Sequence, residues 1–355
     1  SIIGIVTRTD LLKNLHRLEP KKNSNGNYAA KIEKALSPGR MALLNKVIET
    51  ANEHDLPVYT VGGFVRDLLL ERPSRDFDIV IEGDAIRIAE ELARKFGGRV
   101  VSHRRFGTAK WQIKDIHADL TRKLKVAAVD SEPLPEFLDL ISARTEFYEH
   151  PTAMPTIENS SIKLDLHRRD FTINTLAIRL DRKHYGELID NWGGLEDLRN
   201  KKIRVLHSLS FVDDPTRMLR AVRFEQRFGF AIEDRTLQLM EEARPMLRRV
   251  SGDRLRHEFD LAFREANPAA VLARMSALDL LAPIHPQLGW DASLAQPMNT
   301  IRTSQPAVDW ELPRQVGNVP LELALHWLVW LGSLQASTAK EVSRRFKFPA
   351  PLAAA

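Results

Sequence analysis

The chain has 355 residues, of which 43% are hydrophobic and 28% charged, an ordinary composition for a globular protein large enough for more than one core. It contains no cysteine, which excludes disulfide frameworks, zinc ribbons and thiol nucleophiles, and no apolar run approaches the roughly 20 residues that span a bilayer. Its net charge of +5 is compatible with a polyanionic partner, and the lack of a signal-peptide pattern predicts a cytoplasmic protein with no membrane partner.

The first 38 residues carry two predicted segments. Residues 1–16, SIIGIVTRTDLLKNLH, indicate a short strand, a turn and a helix, which are too little to fold alone. Within them GIVTRTDLL resembles the end of a CBS module. Residues 17–38 are polar and rich in Lys, Asn and Ser, which predicts a linker.

Residues 58–82, VYTVGGFVRDLLLERPSRDFDIVIE, are the stretch around which the chain is organised. The pattern predicts a short strand, a glycine turn, a helix, and a second strand that starts at Asp76. Side chains alternate along a strand, so Asp76 and Asp78 would point to the same face. Two carboxylates on one face predict a site for a hard metal ion.

The glycine pair Gly62 and Gly63 precedes a helix predicted to begin near Phe64. Free backbone N–H groups at a helix start suit a phosphate, and glycine allows it to approach closely. Arg66 lies one turn further on, where it could reach the same phosphate.

Each of these features has an ordinary explanation, because Gly-Gly is usually a tight turn and Asp-x-Asp is usually a solvated strand end. Their joint spacing favours function. GGFVRDLLL followed by RDFDIVIEG resembles the signature of the class II tRNA nucleotidyltransferase and bacterial poly(A) polymerase family, within the polymerase-β superfamily. The resemblance implies that Asp76 and Asp78 bind two Mg²⁺ ions and that Asp139, on a neighbouring predicted strand, is a third catalytic carboxylate.

Residues 167–180, HRRDFTINTLAIRL, resemble the family's RRDFTxNAxA box. Arg168 and Arg169 could make bidentate phosphate contacts. Asp170 and Asn174 are predicted to lie one turn apart on the same helical face, where they could hydrogen-bond a ribose.

Residues 213–230, DDPTRMLRAVRFEQRFGF, predict a helix with Pro215 in its first turn. An ideal wheel gives it a mostly apolar arc of Met218, Leu219, Val222 and Gln226. The opposite arc carries a polar row of Asp214, Arg217, Arg220 and Arg223. The alternative is an exposed basic helix with salt bridges.

The resemblance makes this helix a protein template that reads the base of the incoming nucleotide. It assigns that reading to Asp214 and Arg217, with Arg220 and Arg223 as further nucleotide contacts. An aspartate only accepts hydrogen bonds and an arginine only donates them, so the pair could distinguish base edges.

The chain after residue 229 is predicted to be helical. SGDRLRHEF, residues 251–259, resembles a family motif of the body domain, which implies phosphate or RNA contacts by Arg254, Arg256 and His257. Trp327 and Trp330 lie three residues apart in an apolar helix, a spacing more typical of a core than of a base-stacking platform.

The implied fold is α+β, with a polymerase-β-like nucleotidyltransferase head of mixed β-sheet and helices followed by all-α neck and body domains. The predicted divisions are the CBS-like end at 1–16, the linker at 17–38, the catalytic head at 39–180, the neck with the nucleotide-selecting helix at 181–250, and the RNA-binding body at 251–355.

The implied reaction is transfer of AMP, or also CMP, from ATP or CTP to the 3′-hydroxyl of tRNA, which builds or completes the CCA end. A poly(A) polymerase is the first alternative, because it shares all three motifs. The second is a non-catalytic module that binds RNA or nucleotides, against which the paired aspartates argue.

Overall fold

The computed structural model describes residues 26–73, 77–124, 133–147, 156–181, 183–304 and 313–354. The described chain divides into two compact units, the first ending at Asn200 and the second beginning at Lys201. The predicted CBS-like end, residues 1–16, lies outside the described residues, as does Asp76. Within these ranges no helix is long and apolar enough to cross a membrane.

A seven-stranded mixed sheet forms the centre of the first unit. Its strands are β1 (Val58–Val61), β2 (Ile79–Ile81), β3 (Arg99–His103), β4 (Thr108–Gln112), β5 (Phe137–Ser142), β8 (Ala177–Arg179) and β9 (Leu188–Ile189). They lie in the order β3-β4-β5-β2-β1-β8-β9, with β2 and β5 parallel and the other neighbours antiparallel. A separate antiparallel pair consists of β6 (Arg144–Phe147) and β7 (Thr156–Asn159).

Seven α-helices belong to the described part of this unit. They are α1 (Ala29–Ala35), α2 (Pro38–Asn52), α3 (Gly63–Leu69), α4 (Ala85–Phe96), α5 (His117–Leu124), α6 (Ile162–His167) and α7 (Gly194–Arg199). The sequence explains their ends locally. The Asp84 carboxylate accepts hydrogen bonds from the N–H groups of Ile86 and Arg87 at the start of α4. Gly97, with φ of 95°, ends the same helix.

The two faces of the central strands are buried in different surroundings. On one face Tyr59, Val61 and Val80 pack with Leu166 of α6 and Ala177 of β8. On the other face Ile79 and Ile81 are fully buried, and α4 packs against β3, β4 and β5. Burial of one such aliphatic side chain contributes about 1.5–3 kcal/mol. The sheet is therefore anchored on both faces, and its edge at the Gly62 end carries the polar residues.

The second strand is shorter than predicted, since it begins at Ile79 and leaves Asp78 just ahead of it. The prediction that the strand starts at Asp76 is therefore wrong for Phe77 and Asp78, the described residues that precede β2. The reason lies in the partner strand, because β1 ends at Val61 and the last ladder pair is Thr60 with Ile79. Gly62 then leaves the ladder with φ of 65°.

The predicted linker contains a helix, α1, within its last residues. Ile32 of α1 is fully buried, and the Lys31 ammonium lies 3.1 Å from the Glu71 carboxylate beyond α3. Asn27 forms a β-bridge with Glu187 next to β9. Seven residues with one buried apolar side chain give too weak a periodicity to be recognised from the sequence.

The second unit is helical, with two short strand pairs, which fits the predicted α+β class with its all-α second part. Its helices are α8 (Ser210–Asp213), α9 (Thr216–Phe228), α10 (Asp234–Ala243), α11 (Gly252–Phe263), α12 (Pro268–Ala277), α13 (Ala295–Thr300), α14 (Leu321–Leu331), α15 (Ala336–Arg345) and α16 (Ala350–Ala354). The strand pairs are β10 (Lys202–Ile203) with β11 (Ala231–Ile232), and β12 (Gln315–Val316) with β13 (Val319–Pro320).

An aromatic cluster fills the core between α11 and α14. Phe259 stacks on Trp330 with ring centroids 5.1 Å apart, and Phe263 meets Trp327 edge to face at 4.9 Å. The Trp327 indole N–H donates to Asp260 Oδ1 at 2.9 Å. Only 1% of Trp327 and 3% of Trp330 is exposed, which confirms the prediction that both tryptophans belong to the core.

Candidate active site and nucleotide-selecting helix

Gly62 is the point where the central strand of the first unit turns into α3. Its φ of 65° lies in the left-handed region that favours glycine, and its N–H donates to the Leu176 carbonyl at 2.9 Å. A Cβ at this position would collide with Nη1 of Arg169. The positive φ therefore favours glycine at the turn, and the missing side chain leaves room for an arginine predicted to bind phosphate.

Arg66 joins two of the other predicted nucleotide-binding residues. Its Nη1 donates to Asn174 Oδ1 at 2.7 Å, and Asn174 Nδ2 donates to Asp170 Oδ1 at 2.8 Å. The Arg66 Nε also donates to Asp67 Oδ1 at 2.8 Å. Arg66, Asp170 and Asn174 are all buried, so this network is shielded from water. The fold thus brings together residues that are about a hundred positions apart in the sequence.

The segment around Asp170 and Asn174 is not the single helix that the sequence predicted. α6 ends at His167, Arg168 and Arg169 lie in the turn that follows, and a 3₁₀ turn covers Thr172–Asn174. Asp170 and Asn174 still meet, because the side-chain hydrogen bond replaces the contact that helical spacing would have given. The prediction of one helical face is wrong, whereas the predicted proximity is correct.

Asp165 is a buried acid that the sequence analysis did not single out. It is fully buried and contacts both arginines of the RRD motif, with Oδ1 2.7 Å from Arg168 Nη2 and Oδ2 3.1 Å from Arg169 Nη2. Burial alone would raise the pKa of Asp165, but the charges of Arg168 and Arg169 outweigh it and hold that pKa below its usual range. Its spacing of three and four residues before two arginines was the available signal.

Asp78 and Asp139 lie at neighbouring positions of the sheet edge. Ile79 pairs with Leu140 in the parallel ladder, so continuing the register by one residue sets Asp78 beside Asp139. Both line a cavity of about 410 Å³ that also contacts Arg40 and Phe137. The Asp139 side chain is 39% exposed, and the Lys110 ammonium lies 3.6 Å from its Oδ1.

This pair of carboxylates fits a hard divalent cation, for which carboxylate oxygens are the preferred ligands. In the described ranges no group of three or more His, Asp or Glu side chains is close enough to hold a metal ion. The remaining predicted ligand, Asp76, is outside those ranges. The role of these three aspartates therefore stays a prediction.

In the second unit, Asp214 stands at the start of α9 and caps it. Its Oδ1 accepts hydrogen bonds from the Thr216 N–H at 3.0 Å and the Thr216 hydroxyl at 2.7 Å. The same oxygen accepts a hydrogen bond from Arg254 Nη2 of α11 at 2.7 Å. The side chain predicted to read the base is thus fixed by its own helix and by the body motif.

The predicted apolar arc of α9 is confirmed for Met218, Leu219 and Val222, which are buried, but the predicted separation from a polar row is wrong. Arg217 and Arg223 are buried, with 7% and 5% exposed, whereas Gln226 of the supposed apolar arc is exposed. The physical reason is that α9 packs against several elements at once, including α11 and α12. A helix wheel cannot show this, because the buried arginines have partners outside α9.

Arg217 and Arg223 have different surroundings. Arg217 Nη1 donates to the Ser210 hydroxyl of α8 at 2.7 Å. Arg223 lies 3.4 Å from Glu258 of α11 and 3.5 Å from Glu265 just after it, and Arg220 lies 3.7 Å from Glu258. Burial lowers the pKa of Arg223 although the glutamates oppose that shift.

The three predicted RNA-binding residues also differ from one another. Arg254 is engaged with Asp214, and Arg256 donates to the backbone carbonyls of Phe346 and Lys347 at the end of α15. His257 is exposed. Arg254 and Arg256 thus connect elements of the second unit, and RNA binding by all three stays a prediction.

Two family models match the chain. The model described as the poly A polymerase head domain matches residues 58–204, and that described as a probable RNA and SrmB-binding site of polymerase A matches residues 229–290. Among curated relatives, the chain is 43% identical to the A-adding tRNA nucleotidyltransferase of Geobacter sulfurreducens over 81% of its length, and 40% identical to that of Halalkalibacterium halodurans over 68%. It spans only 32% and 53% of the length of these two relatives.

Solved structures resemble the chain over more of their length. A CCA-adding enzyme in its apo form II is 37% identical with a TM-score of 0.74, and the match covers 92% of this chain and 72% of that one. The Thermotoga maritima CCA-adding enzyme complexed with tRNA_CCA is 35% identical with a TM-score of 0.69, and the match covers 92% and 71%. Given these matches and the three motifs, the chain belongs to the tRNA nucleotidyltransferase and poly(A) polymerase family.

Proposed function

We propose that the protein transfers AMP from ATP to the 3′-hydroxyl of a tRNA that ends in CC, and releases pyrophosphate. The observation that carries this proposal is the arrangement at one edge of the sheet. The Arg66–Asn174–Asp170 network, Arg169 against Gly62, and the adjacent Asp78 and Asp139 all belong to that edge. Nucleotidyl transfer requires hydrogen-bond donors that can bind phosphate next to carboxylates that can bind metal ions.

In this proposal Asp76 and Asp78 would hold two Mg²⁺ ions, with Asp139 as the third carboxylate. When bound, these ions would activate the 3′-hydroxyl and neutralise the triphosphate. Carboxylate pairs of this kind have no evident use in a purely binding module, which weighs against the non-catalytic alternative.

The chain's own residues would orient the nucleotide. Arg168 and Arg169 would bind the triphosphate, since guanidinium groups form paired hydrogen bonds with phosphate oxygens. Asp170 and Asn174, already hydrogen-bonded to each other, would contact the ribose. Gly63 and Arg66 would complete the phosphate side of the site.

Base selection would fall to Asp214 and Arg217, with Arg220 and Arg223 as further contacts. The Oδ1 of Asp214 is occupied by Thr216 and Arg254, so Oδ2 would face the base. An adenine presents an N6–H₂ donor that such an oxygen can accept. Arg254, Arg256 and His257 would contribute to RNA binding in the body, residues 251–355, beyond the head at 39–180 and the neck at 181–250.

The proposal is tested with tRNA transcripts that end before the CCA, after the first C, and after CC. Each is incubated with Mg²⁺ and either ATP or CTP, and the products are resolved at single-nucleotide length. We expect one A on the CC-ending transcript and no other addition. Addition of C to the shorter transcripts would make the protein a CC- or CCA-adding enzyme, long A ladders would make it a poly(A) polymerase, and RNA binding without turnover would support the non-catalytic alternative.

A further inference from the structure

Asp165 stands directly behind the two arginines that are proposed to bind the triphosphate. Its side chain is fully buried, whereas the side chains of Arg168 and Arg169 are each 19% exposed. The exposed side of this cluster therefore belongs to the guanidinium groups and its interior to the carboxylate. This arrangement suits a site in which the ligand contacts the guanidinium groups and not the carboxylate.

Each carboxylate oxygen of Asp165 accepts hydrogen bonds from the side chain of a different arginine. Oδ1 accepts from both Nε and Nη2 of Arg168, at 3.1 and 2.7 Å, which fixes the plane of that guanidinium. Oδ2 accepts from Nη2 of Arg169 at 3.1 Å. Oδ1 also accepts a hydrogen bond from the backbone N–H of Arg144 at 3.3 Å, which ties the carboxylate to the start of β6 in the separate β6–β7 pair.

Arg169 also approaches the glycine turn. A Cβ at Gly62 would collide with its Nη1, so the missing side chain leaves room for it. The guanidinium thus lies between the Asp165 carboxylate and the glycine turn that precedes α3. An arginine side chain otherwise loses considerable rotamer entropy when it binds a ligand, about 1.5–2 kcal/mol. Holding it in place beforehand removes that cost from nucleotide binding.

We propose that Asp165 is a positioning residue that pre-orders Arg168 and Arg169 for the triphosphate of the incoming nucleotide. This inference rests on the proposed function, since it assumes a nucleoside triphosphate as substrate. Asp165 contributes to the affinity for the phosphates and not to that for the nucleoside, because its contacts end at the two arginines and at the backbone of β6.

The test compares the affinities of the full chain for ATP and for adenosine, measured by calorimetry in Mg²⁺ without RNA, for the wild type and Asp165→Asn. The substitution keeps the shape and one acceptor oxygen while it removes the charge. We expect the affinity for ATP to fall about 10- to 100-fold, the usual effect of losing a group that orients a binding residue. The affinity for adenosine should change by less than a factor of about two.

Asp181→Asn is the matched control. Asp181 is another buried aspartate of the first unit that pairs with an arginine, and its Oδ2 accepts a hydrogen bond from Arg179 Nε at 2.8 Å. It should lower the melting temperature without changing the ratio of ATP to adenosine affinity. Equal losses of both affinities in Asp165→Asn, or no loss of either, would overturn the inference.

Since loss of a buried carboxylate can prevent folding, Arg169→Lys provides a second arm. Lysine keeps the charge but cannot reproduce the geometry of the guanidinium whose Nη2 donates to Asp165 Oδ2. We again expect a selective loss of ATP affinity, and an unchanged ATP affinity would contradict the inference.

The two proposals fail in distinguishable ways. A wild type that prefers ATP to adenosine but adds nothing to tRNA would refute the proposed function, while the binding data would still decide the role of Asp165. A wild type that binds ATP no more tightly than adenosine would refute both the proposed function and the role of Asp165.

Discussion

Arginines are prominent in two regions of this protein, and their partners differ. In the first unit, Arg168 and Arg169 share the carboxylate of Asp165, and Arg66 donates to the amide oxygen of Asn174. In the second unit, Arg223 and Arg227 of α9 face the carboxylates of Glu258 and Glu265.

The difference teaches that a row of arginines does not by itself indicate a ligand surface. On α9 the carboxylates come from α11 and the turn after it, and they neutralise a buried charge that would otherwise be very costly. At the sheet edge the partners hold the arginines in place from behind. The first arrangement supports helix packing, and the second leaves the side chains of Arg168 and Arg169 partly exposed, where we propose that an anion binds.

The largest effect is expected at the sheet edge. Asp78→Asn should reduce AMP transfer on the order of 10³-fold, because a metal ligand contributes several kcal/mol to stabilising the transition state. Single-turnover transfer to the CC-ending tRNA measures this. Asp119→Asn is the control, since Asp119 is an exposed residue of α5, and a similar loss in that variant would contradict the assignment.

The next effect tests the structural role of the charges on α9. Glu265→Gln should lower the free energy of unfolding by about 3 kcal/mol, because it leaves Arg223 and Arg227 short of a buried partner. Urea unfolding measures it. The exposed pair of Arg235 and Glu242 provides the comparison, and Glu242→Gln should cost less than about 1 kcal/mol.

If Glu265→Gln instead left the free energy of unfolding unchanged and raised the KM for ATP, the arginines of α9, like those of the sheet edge, would serve nucleotide binding. That result would favour the prediction that Arg223 contacts the nucleotide directly.

A smaller effect is expected from Asp214→Asn. The variant keeps Oδ1 as the acceptor for Thr216 and Arg254 but replaces one carboxylate oxygen by an NH₂ donor. The preference for ATP over CTP, measured as the ratio of kcat/KM values, should fall about tenfold. Asp234→Asn, at an exposed position at the start of α10, should leave the ratio unchanged. An unaltered preference in Asp214→Asn would refute the template role of α9.

The smallest effect concerns a neutral buried group of the second unit. His326 is fully buried and stacks on Phe263 at 5.2 Å, and its Nδ1 lies 2.7 Å from the Glu322 carbonyl. Burial lowers the pKa of His326 below its usual 6.5. The unfolded chain therefore binds a proton that the folded chain does not, and stability should fall as the pH drops below about 6.5.

The contribution of one such group cannot exceed about 1.4 kcal/mol per pH unit. Urea unfolding between pH 5.5 and 7.5 measures the slope, and His326→Leu should reduce it by that contribution. An equal slope in both proteins would show that the protonation of His326 does not differ between the folded and unfolded states.

The sequence by itself determined the family and much of the local structure. The Gly62 turn and the core positions of Trp327 and Trp330 follow from local chemistry: a glycine that tolerates positive φ, and apolar periodicity. These signals lie within a few residues of one another, so no knowledge of the fold is required to recognise them.

Tertiary structure alone decided which charged side chains are partners. The start of β2 at Ile79 depends on where β1 ends, and the burial of Arg223 depends on Glu258, 35 residues further along the chain. Asp165 contacts Arg168 and Arg169 because α6 ends at His167, which lets both arginine side chains turn back toward the carboxylate. Burial and long-range pairing of charges are set by packing between distant segments, and neither periodicity nor motif spacing in the sequence contains that information.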